Sequence, residues 1–231
     1  MSQTIAPSAS VYTQLALHLY DFVVLTISNR WAWRCPTGSE LLPFYIEHIG
    51  EPAHLEIGAG TGYYPAVSTP RLAKGVKLVA LLDLNPNTLV YARTRLTKAG
   101  YRGDVEAIQH DVFEPLPKAM RGRYDSIALV YLFHCLPGTF PKKATDVFKN
   151  VVPALAEGGE VYGATILGWS AQHNWLGRRL MKLYNRKGIF GNALDTVEGL
   201  REALAETFEE HELRFVGVVA LFFARRPKVQ Y

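Results

Sequence analysis

The sequence predicts an α/β fold, a doubly wound sheet of seven strands with a helical lid. Three observations lead to this prediction. Short apolar runs alternate with segments of helical periodicity, which is typical of parallel strands joined by helical crossovers. A glycine-rich turn follows the first apolar run. The last two apolar runs are separated by Gly217 alone, and so tight a connection requires an antiparallel pair. We therefore expect five parallel strands followed by a C-terminal antiparallel hairpin.

The composition favours one domain with a single core. The chain has 231 residues, of which 48% are hydrophobic and 20% are charged. The net charge of +4 is not gathered in a basic arm, so no nucleic-acid partner is expected. Cys35 and Cys135 are far apart and lack metal-ligand spacing, which favours a reducing compartment and argues against a disulfide framework or a zinc site. A soluble, cytoplasmic protein is expected, with its oligomeric state left open.

The first 50 residues are interpreted as an N-terminal helical lid segment, and residues 51–231 as the main domain. Apolar residues recur at roughly helical spacing over residues 11–29, so we predict a helix there. Polar residues interrupt this run too often for a signal peptide or a membrane span, so no membrane partner is expected. A second helix is predicted over residues 40–49, with Pro43 in its first turn.

The glycine-rich turn after the first predicted strand, residues 53–57, indicates a ligand site. Gly58, Gly60 and Gly62 supply the positive φ and the missing Cβ that let backbone approach a ligand closely. Dinucleotide sites are spaced G-x-G-x-x-G and hold a pyrophosphate, whereas the spacing here is G-x-G-x-G. Glu56, two residues before the first glycine, would repel a pyrophosphate and suits a cationic amino acid.

Polar residues close the second predicted strand, residues 77–82, and the third, residues 105–109. In an open α/β sheet the ligand lies over the carboxyl ends of the strands, so Asp83 can accept hydrogen bonds from both hydroxyl groups of a ribose. Asn85 and Pro86 form a typical start of a helix. Asn85 is therefore interpreted either as a site residue or as a helix cap alone.

The remaining elements complete the alternation. They are a short helix over residues 63–69, helices over 87–99 and 140–155, a fourth strand from residue 124, a fifth strand over 161–166, a helix over 196–208 and hairpin strands over 212–216 and 218–224. Asp195 and Glu198 are expected to form a capping box for the helix over 196–208. Residues 167–194 are too long for a plain crossover and rich in aromatic residues, so we interpret them as an insertion belonging to the lid.

Residues 55–62, Leu-Glu-Ile-Gly-Ala-Gly-Thr-Gly, resemble the first motif of class I S-adenosylmethionine (SAM) dependent methyltransferases. The aromatic–Asp pair Tyr124-Asp125 and the Gly158-Gly159 turn before the fifth strand are similar to that family as well. The resemblance implies a Rossmann-like fold, SAM as cofactor and S-adenosylhomocysteine (SAH) as product. The structural alternative is a glycine turn with an acid nearby by chance.

The resemblance also implies roles for individual residues. Glu56 would bind the amino group of the donor, Asp83 its ribose and Asp111 the adenine amine, while the glycines would admit the methionine portion. His110 is interpreted as a surface residue in preference to a site residue. The full set expected to bind the cofactor, including residues that cover the base or close over the methionine end, is Glu56, Gly58, Ala59, Gly60, Gly62, Tyr63, Asp83, Leu84, Asn85, Asp111, Val112, Phe113, Tyr20 and Trp33.

Methyl transfer from a sulfonium requires mainly that the acceptor be aligned and water excluded. A base would help if the acceptor is a hydroxyl. His134, after the fourth strand, is the first candidate, with bracing of the loop as its alternative role, and His173 is the second candidate. Residues 131–133 offer no carboxylate, so metal independence is predicted.

All four tryptophans lie in the N-terminal segment and the insertion: Trp31, Trp33, Trp169 and Trp175. If both segments close over the sheet, their flat apolar side chains suit a small aromatic or polyketide-like acceptor; alternatively, the tryptophans simply dock the two segments together. We predict O-methylation of a specialised metabolite. The alternatives left open are N- or C-methylation, a nucleic-acid or protein acceptor, and SAM binding without methyl transfer, whereas the loop spacing and the hairpin disfavour a nicotinamide oxidoreductase.

Overall fold

The computed structural model describes residues 21–228, and within them seven strands form one sheet. The strand order is β3-β2-β1-β4-β5-β7-β6. The strands are β1 (Ala53–Ile57), β2 (Leu78–Asp83), β3 (Asp104–Gln109), β4 (Tyr124–Val130), β5 (Leu155–Ile166), β6 (Phe208–Val216) and β7 (Val219–Pro227). Strands β1 to β5 pair in parallel, and β7 pairs antiparallel with both β5 and β6. The predicted fold class is confirmed.

Nine α- and π-helices are placed around the sheet in this part of the chain, together with three short 3-10 helices at Lys118–Met120, Phe133–Cys135 and Val152–Ala154. The nine are α1 (Asp21–Ala32) and α2 (Thr37–Leu41), both wound as π-helices, α3 (Leu42–Glu47), α4 (Tyr63–Val67), α5 (Thr69–Leu72), α6 (Pro86–Lys98), α7 (Lys142–Val151), α8 (Trp175–Arg186) and α9 (Val197–Thr207). Residues 11–20 of the first predicted helix lie outside the described residues. None of the described helices is both long enough and apolar enough to cross a bilayer.

The hydrophobic core has two halves, one on each face of the sheet. Val79 and Leu81 of β2 join the half that contains residues of α3, α6 and α8, whereas Ala80 and Leu82 join the half that contains residues of α7 and α9. All five residues of β1 are buried, as expected for a central parallel strand covered on both faces. The strand that leads into the glycine turn is therefore packed on both faces.

Two local predictions were wrong. Thr196, and not Asp195, caps α9, since its side chain accepts a hydrogen bond from the N–H of Gly199; Asp195 is fully buried and pairs with Lys143. The predicted Gly158-Gly159 turn lies inside β5, which begins earlier than expected. The strand reaches back to Leu155, opposite Tyr124, and the register shifts before Glu160 meets Ser126. In both cases a contact distant in sequence decides the local structure.

The hairpin tip joins the N-terminal segment to the sheet. Val218 donates its N–H to the carbonyl of Trp33 at 3.0 Å and accepts the N–H of Leu167 at 3.0 Å. Gly217 has φ 62° and lies so close to the carbonyl oxygen of Trp33 that a Cβ could not fit. The turn predicted at Gly217 is thus also a close contact between the C-terminal hairpin and the N-terminal segment at Trp33.

Candidate active site

A cavity of about 240 Å³ opens at the carboxyl ends of the parallel strands. The register brings these ends together, because Ile57 of β1 lies beside Leu82 of β2, and Glu56 lies beside Ala128 of β4. The lining residues are Glu56, Ile57, Gly58, Ala59, Gly60, Thr61, Tyr63, Tyr64, Leu82, Asp83, Leu84, Thr88, His110, Asp111, Val112, Phe113, Val130, Tyr131, Leu132, Cys135, Leu136 and Pro137. Ten of the fourteen predicted cofactor residues are among them.

The three glycines of the turn have different surroundings. All three have positive φ: 74° at Gly58, 49° at Gly60 and 63° at Gly62. A Cβ on Gly60 would meet nothing nearer than the carbonyl oxygen of Gly58 at 3.7 Å, so this position is open. A Cβ on Gly62 would lie 2.7 Å from the Cβ of Ala92 in α6. Gly62 does not line the cavity and instead allows α6 to pack closely against the turn.

We expect Gly62→Ala to destabilise the fold more than Gly122→Ala. Both glycines have nearly the same φ, 63° and 64°, so both substitutions carry the left-handed penalty of about 1–2 kcal/mol. A Cβ on Gly122 would meet nothing within 4 Å, whereas the contact with Ala92 adds an overpacking cost of about 1–3 kcal/mol at Gly62. Urea unfolding of the two variants measures the difference, and equal losses would contradict the packing role.

Asp83 is half-buried at the end of β2, and its carboxylate contacts the glycine turn. Its Oδ2 accepts the N–H of Gly60 at 3.0 Å, and its Oδ1 accepts the N–H of Asn85 at 2.9 Å. Burial raises the pKa of its carboxyl, and these N–H donors partly offset the shift. Asn85 caps α6 by accepting the N–H of Asn87 and does not line the cavity. The hydrogen bond from Asn87 therefore confirms the role of Asn85 as a helix cap.

The segment after β3 forms another wall of the cavity. Asp111 Oδ1 accepts the N–H of Phe113 at 3.0 Å, which orders the turn, and Val112 is buried between them. His110 also lines the cavity, and its Nε2 lies 3.2 Å from the carbonyl oxygen of Glu114. The preference for a surface role of His110 was therefore wrong in part, because the residue is half-buried and part of the wall.

Glu56 lines the cavity but belongs to a buried hydrogen-bond network. Tyr45 of α3 donates its hydroxyl to Glu56 Oε2 at 2.6 Å, and His54 Nε2 lies 3.3 Å from the same oxygen. The other ring nitrogen of His54 lies 2.8 Å from Ser126 Oγ. Burial, followed by the charge of Glu56, raises the pKa of Tyr45 well above its ordinary value. Tyr45 therefore remains a donor that holds this carboxylate in place.

The end of β4 contributes residues that were not among the predicted site residues. Tyr131 has φ 62°, uncommon for a bulky residue, and its N–H donates to the carbonyl of Ala164 at 2.7 Å. Its hydroxyl donates to Oδ1 of the buried Asn29 in α1 at 2.9 Å. Burial raises the pKa of Cys135, which also lines the cavity, to about 12, so its thiol stays protonated. One signal in the sequence pointed to these site residues, which is their position directly after a central strand.

Several predicted residues lie away from the cavity. His134 is buried and stacks edge-on against Phe190 at 4.6 Å, and Trp33 is buried against Phe190 and His173. No residue of 27–50 or 167–194 lines this cavity, so none of the four tryptophans does. Tyr20 lies outside the described residues. Within residues 21–228, no cluster of three or more His, Cys, Asp or Glu side chains is arranged to hold a metal ion.

We expect His134 to make the fold sensitive to acid. Burial, with a smaller contribution from the charge of Lys143, lowers its pKa to about 3. The unfolded chain takes up a proton near pH 6.5 and the native protein does not, so stability is complete above that pH and falls as the pH drops. Relative to His134→Asn, the parent should lose up to about 2 kcal/mol between pH 7 and pH 5. Urea unfolding at both pH values measures this loss, and parallel stability curves would contradict it.

The fold and the site define the class of the protein. A family model described as a methyltransferase domain matches residues 55–161, which include the glycine turn, the three acids Glu56, Asp83 and Asp111, and strand β4. The solved structure of the DhpI–SAH complex superimposes with a TM-score of 0.64 at 17% identity, covering 99% of this chain and 100% of that chain. The likeness to DhpI shows a shared fold.

Two relatives match nearly the whole chain. The physcion biosynthesis cluster O-methyltransferase of Aspergillus chevalieri is 41% identical over 221 residues, 95% of each chain. The demethylluteothin O-methyltransferase of Streptomyces thioluteus is 34% identical over 225 residues, 97% of this chain and 93% of that protein. The chain belongs to the class I SAM-dependent methyltransferases, and it is an enzyme that uses SAM as cofactor.

Proposed function

We propose that this protein transfers a methyl group from SAM to a hydroxyl group of a small aromatic or polyketide-like metabolite. The observation that carries the proposal is the cavity at the strand ends, where an open glycine, Gly60, lies beside the half-buried carboxylate of Asp83. The names of the two relatives, both O-methyltransferases, support oxygen as the acceptor atom.

The residues of the cavity fit the three parts of the donor. In our proposal Asp83 accepts hydrogen bonds from the ribose hydroxyls, and Glu56 attracts the ammonium group, directly or through water. Asp111 accepts from the adenine amine, with Val112 and Phe113 against the ring. Gly58, Ala59, Gly60 and Tyr63 line the turn where the methionine portion would lie, with Leu84 beside the ribose. Three other predicted residues support the site from outside the cavity. Gly62 allows α6 to pack closely against the turn, Asn85 caps α6, and Trp33 is a buried aromatic residue.

When bound, SAM supplies a methyl group that is already electrophilic, because a positively charged sulfur carries it. The protein's contribution is then alignment and exclusion of water. At the end of β4, Tyr131, Leu132 and Leu136 form a largely apolar wall that suits this purpose. His134 lies behind this wall with its pKa lowered to about 3, so it is neutral at physiological pH. This geometry supports the bracing role of His134 over the role of a base. His173 does not line the cavity either, which supports a place in the insertion without a role as a base.

The proposal extends to the surroundings of the site. We propose that residues 1–50 and the insertion 167–194 form a lid on the acceptor side, because α8 of the insertion packs against α1 of the N-terminal segment and no residue of 27–50 or 167–194 lines the cavity described above. We also propose a cytoplasmic location, supported by the two free cysteines, Cys35 and Cys135. Metal independence and the absence of a nucleic-acid partner remain predictions.

Calorimetry with SAM, SAH and NAD tests the cofactor, and mass spectrometry of a panel of phenolic acceptors tests the reaction. We expect SAM and SAH to bind and NAD not to bind, and an acceptor to gain the mass of one CH₂ group as SAH accumulates. Fragmentation of the product locates the new methyl group on oxygen. A methyl group on nitrogen or carbon would establish the alternative acceptor chemistry, and SAM binding without SAH in the presence of host extract would contradict methyl transfer altogether.

A further inference from the structure

Apolar side chains are exposed in one region of the surface. Of the eight large hydrophobic residues exposed among those that the structure describes, five belong to residues 27–34 and 167–194. We call this region the lid surface. Its exposed hydrophobic residues are Ile27 (41% exposed), Trp31 (61%), Trp169 (45%), Trp175 (68%) and Leu194 (71%). Exposed apolar clusters of this kind mark interaction sites.

Hydrogen bonds hold the two segments together as one surface. Asn174 Nδ2 donates to the carbonyl of Trp31 at 2.7 Å, directly beside Trp175. Arg34 Nη2 donates to the carbonyl of Gln172 at 2.6 Å. The N–H of Trp169 donates to the carbonyl of Ala193 at 3.1 Å, next to Leu194. These hydrogen bonds therefore bring together the chain stretches that carry the three exposed tryptophans.

The lid surface has a single sign of charge. All 21 acidic residues of the chain lie outside residues 27–34 and 167–194, whereas 7 of the 25 basic residues lie inside them. The basic residues are Arg30, Arg34, Arg178, Arg179, Lys182, Arg186 and Lys187, and all seven are exposed. The apolar side of α8, by contrast, packs into the core through Met181. The modest net charge of the chain thus conceals a strongly basic face.

Two of the exposed tryptophans carry an arginine over the ring. The guanidinium of Arg30 lies 5.6 Å from the ring centre of Trp31, and that of Arg179 lies 4.8 Å from the ring centre of Trp175. Such pairs combine a flat apolar face with a fixed positive charge. They match an environment that is anionic at its surface and apolar just beneath it.

We propose that the lid surface binds an anionic lipid bilayer from the cytoplasmic side. Tryptophan and basic side chains together are typical of the membrane interface, where the ring lies at headgroup depth and the charge pairs with acidic lipids. Lysine is depleted at protein–protein interfaces, so Lys182 and Lys187 on this surface argue against a protein partner. Base stacking on single-stranded RNA would use the tryptophans but leave Ile27 and Leu194 without a role.

The expectation of no membrane partner was based on the absence of a membrane-spanning segment. Association with the bilayer surface requires no such segment, so our proposal departs from that expectation. It is independent of the acceptor atom and of catalysis. If the proposed function also holds, the lid surface brings the acceptor side of the enzyme to the place where apolar metabolites accumulate.

Co-sedimentation of the full-length protein with vesicles tests the proposal. We expect binding to vesicles of phosphatidylcholine and phosphatidylserine, a blue shift of tryptophan emission on binding, weakening by added salt, and no binding to pure phosphatidylcholine. Arg178→Gln/Arg179→Gln should weaken binding about 30-fold, roughly fivefold for each charge. Trp31→Ala/Trp175→Ala should reduce the blue shift on vesicle addition to the contribution of Trp169, the third exposed tryptophan of the lid surface.

Val90→Ala/Arg93→Gln is the matched control, because it removes an exposed apolar residue and an exposed basic residue from α6, away from the lid surface. Circular dichroism and SAM binding verify that each variant is folded. Equal binding by control and lid-surface variants would overturn the proposal. Binding to polyuridylic acid but not to vesicles would also overturn it, in favour of RNA, as would a dimer that dissociates in the Trp31→Ala/Trp175→Ala variant.

Discussion

Replacing Asp83 by alanine should weaken SAM binding by about 100-fold or more while the protein stays folded. In our proposal this carboxylate accepts hydrogen bonds from both ribose hydroxyls. Hydrogen bonds to a charged group contribute about 1.5–3 kcal/mol, and about 2.7 kcal/mol corresponds to a factor of about 100. The variant also leaves the N–H of Gly60 without the acceptor that fixes the turn. Titration calorimetry with SAM and SAH measures the loss.

Two further variants make the Asp83 experiment specific. Asp83→Asn keeps the size of the side chain and one acceptor oxygen, so it should lose less affinity than Asp83→Ala. Asp104→Ala removes an exposed carboxylate at the opposite end of the neighbouring strand β3 and should bind SAM as the parent does. If Asp83→Ala binds SAM as tightly as Asp104→Ala, Asp83 does not hold the ribose.

Replacing Asp195 by alanine should destabilise the fold by about 3–5 kcal/mol, because Lys143 would be left as a buried charge without its partner. The side chains of both residues are fully buried, and Lys143 Nζ lies 2.6 Å from Asp195 Oδ2. Burial raises the pKa of Asp195 and lowers that of Lys143, while their mutual attraction offsets part of each shift. Urea unfolding at pH 7 measures the effect.

The control for this pair is Asp146→Ala, which breaks the exposed ion pair between Lys142 and Asp146 and should cost no more than about 1 kcal/mol. The double variant Lys143→Met/Asp195→Asn removes both charges and retains an acceptor for the N–H of Phe140, so it should recover much of the stability lost in Asp195→Ala. A loss below about 1 kcal/mol in Asp195→Ala would contradict the role of the pair.

The Lys143–Asp195 pair also bears on the site. Lys143 Nζ donates to the carbonyls of Leu136, which lines the cavity, and of Gly191, at the end of the insertion. One buried ammonium group therefore ties the loop after β4 to the insertion. We expect Lys143→Met to lower the affinity for SAM as well as the stability, since the cavity wall at Leu136 loses its anchor.

The parts of the fold that were predictable depend on neighbours in sequence. Strand β1 was predicted with its observed bounds because a short segment with Ala53, Leu55 and Ile57 as its apolar residues precedes a glycine turn. The cap at Asn85 followed from the Asn–Pro pair, and the antiparallel hairpin followed from the short connection at Gly217. Ten predicted cofactor residues meet in one cavity because the carboxyl ends of parallel strands share an edge of the sheet.

The parts that were not predictable depend on contacts distant in sequence. Asp195 resembled a helix cap, and only the fold brings Lys143, 52 positions away, within reach of it. Gly62 looked equivalent to Gly60 until α6 was packed against it. The left-handed backbone of Tyr131 likewise depends on a hydrogen bond to β5 and leaves no mark in local composition.

The hydrogen bond from Tyr45 to Glu56 has a consequence for protein engineering. It joins α3 to strand β1 just before the glycine turn, so the segment that we propose as part of the lid also positions the carboxylate proposed to hold the cofactor. Chimeras that graft this portion from a relative to change the compound methylated will therefore disturb cofactor affinity as well, unless the donor sequence retains a tyrosine at this position.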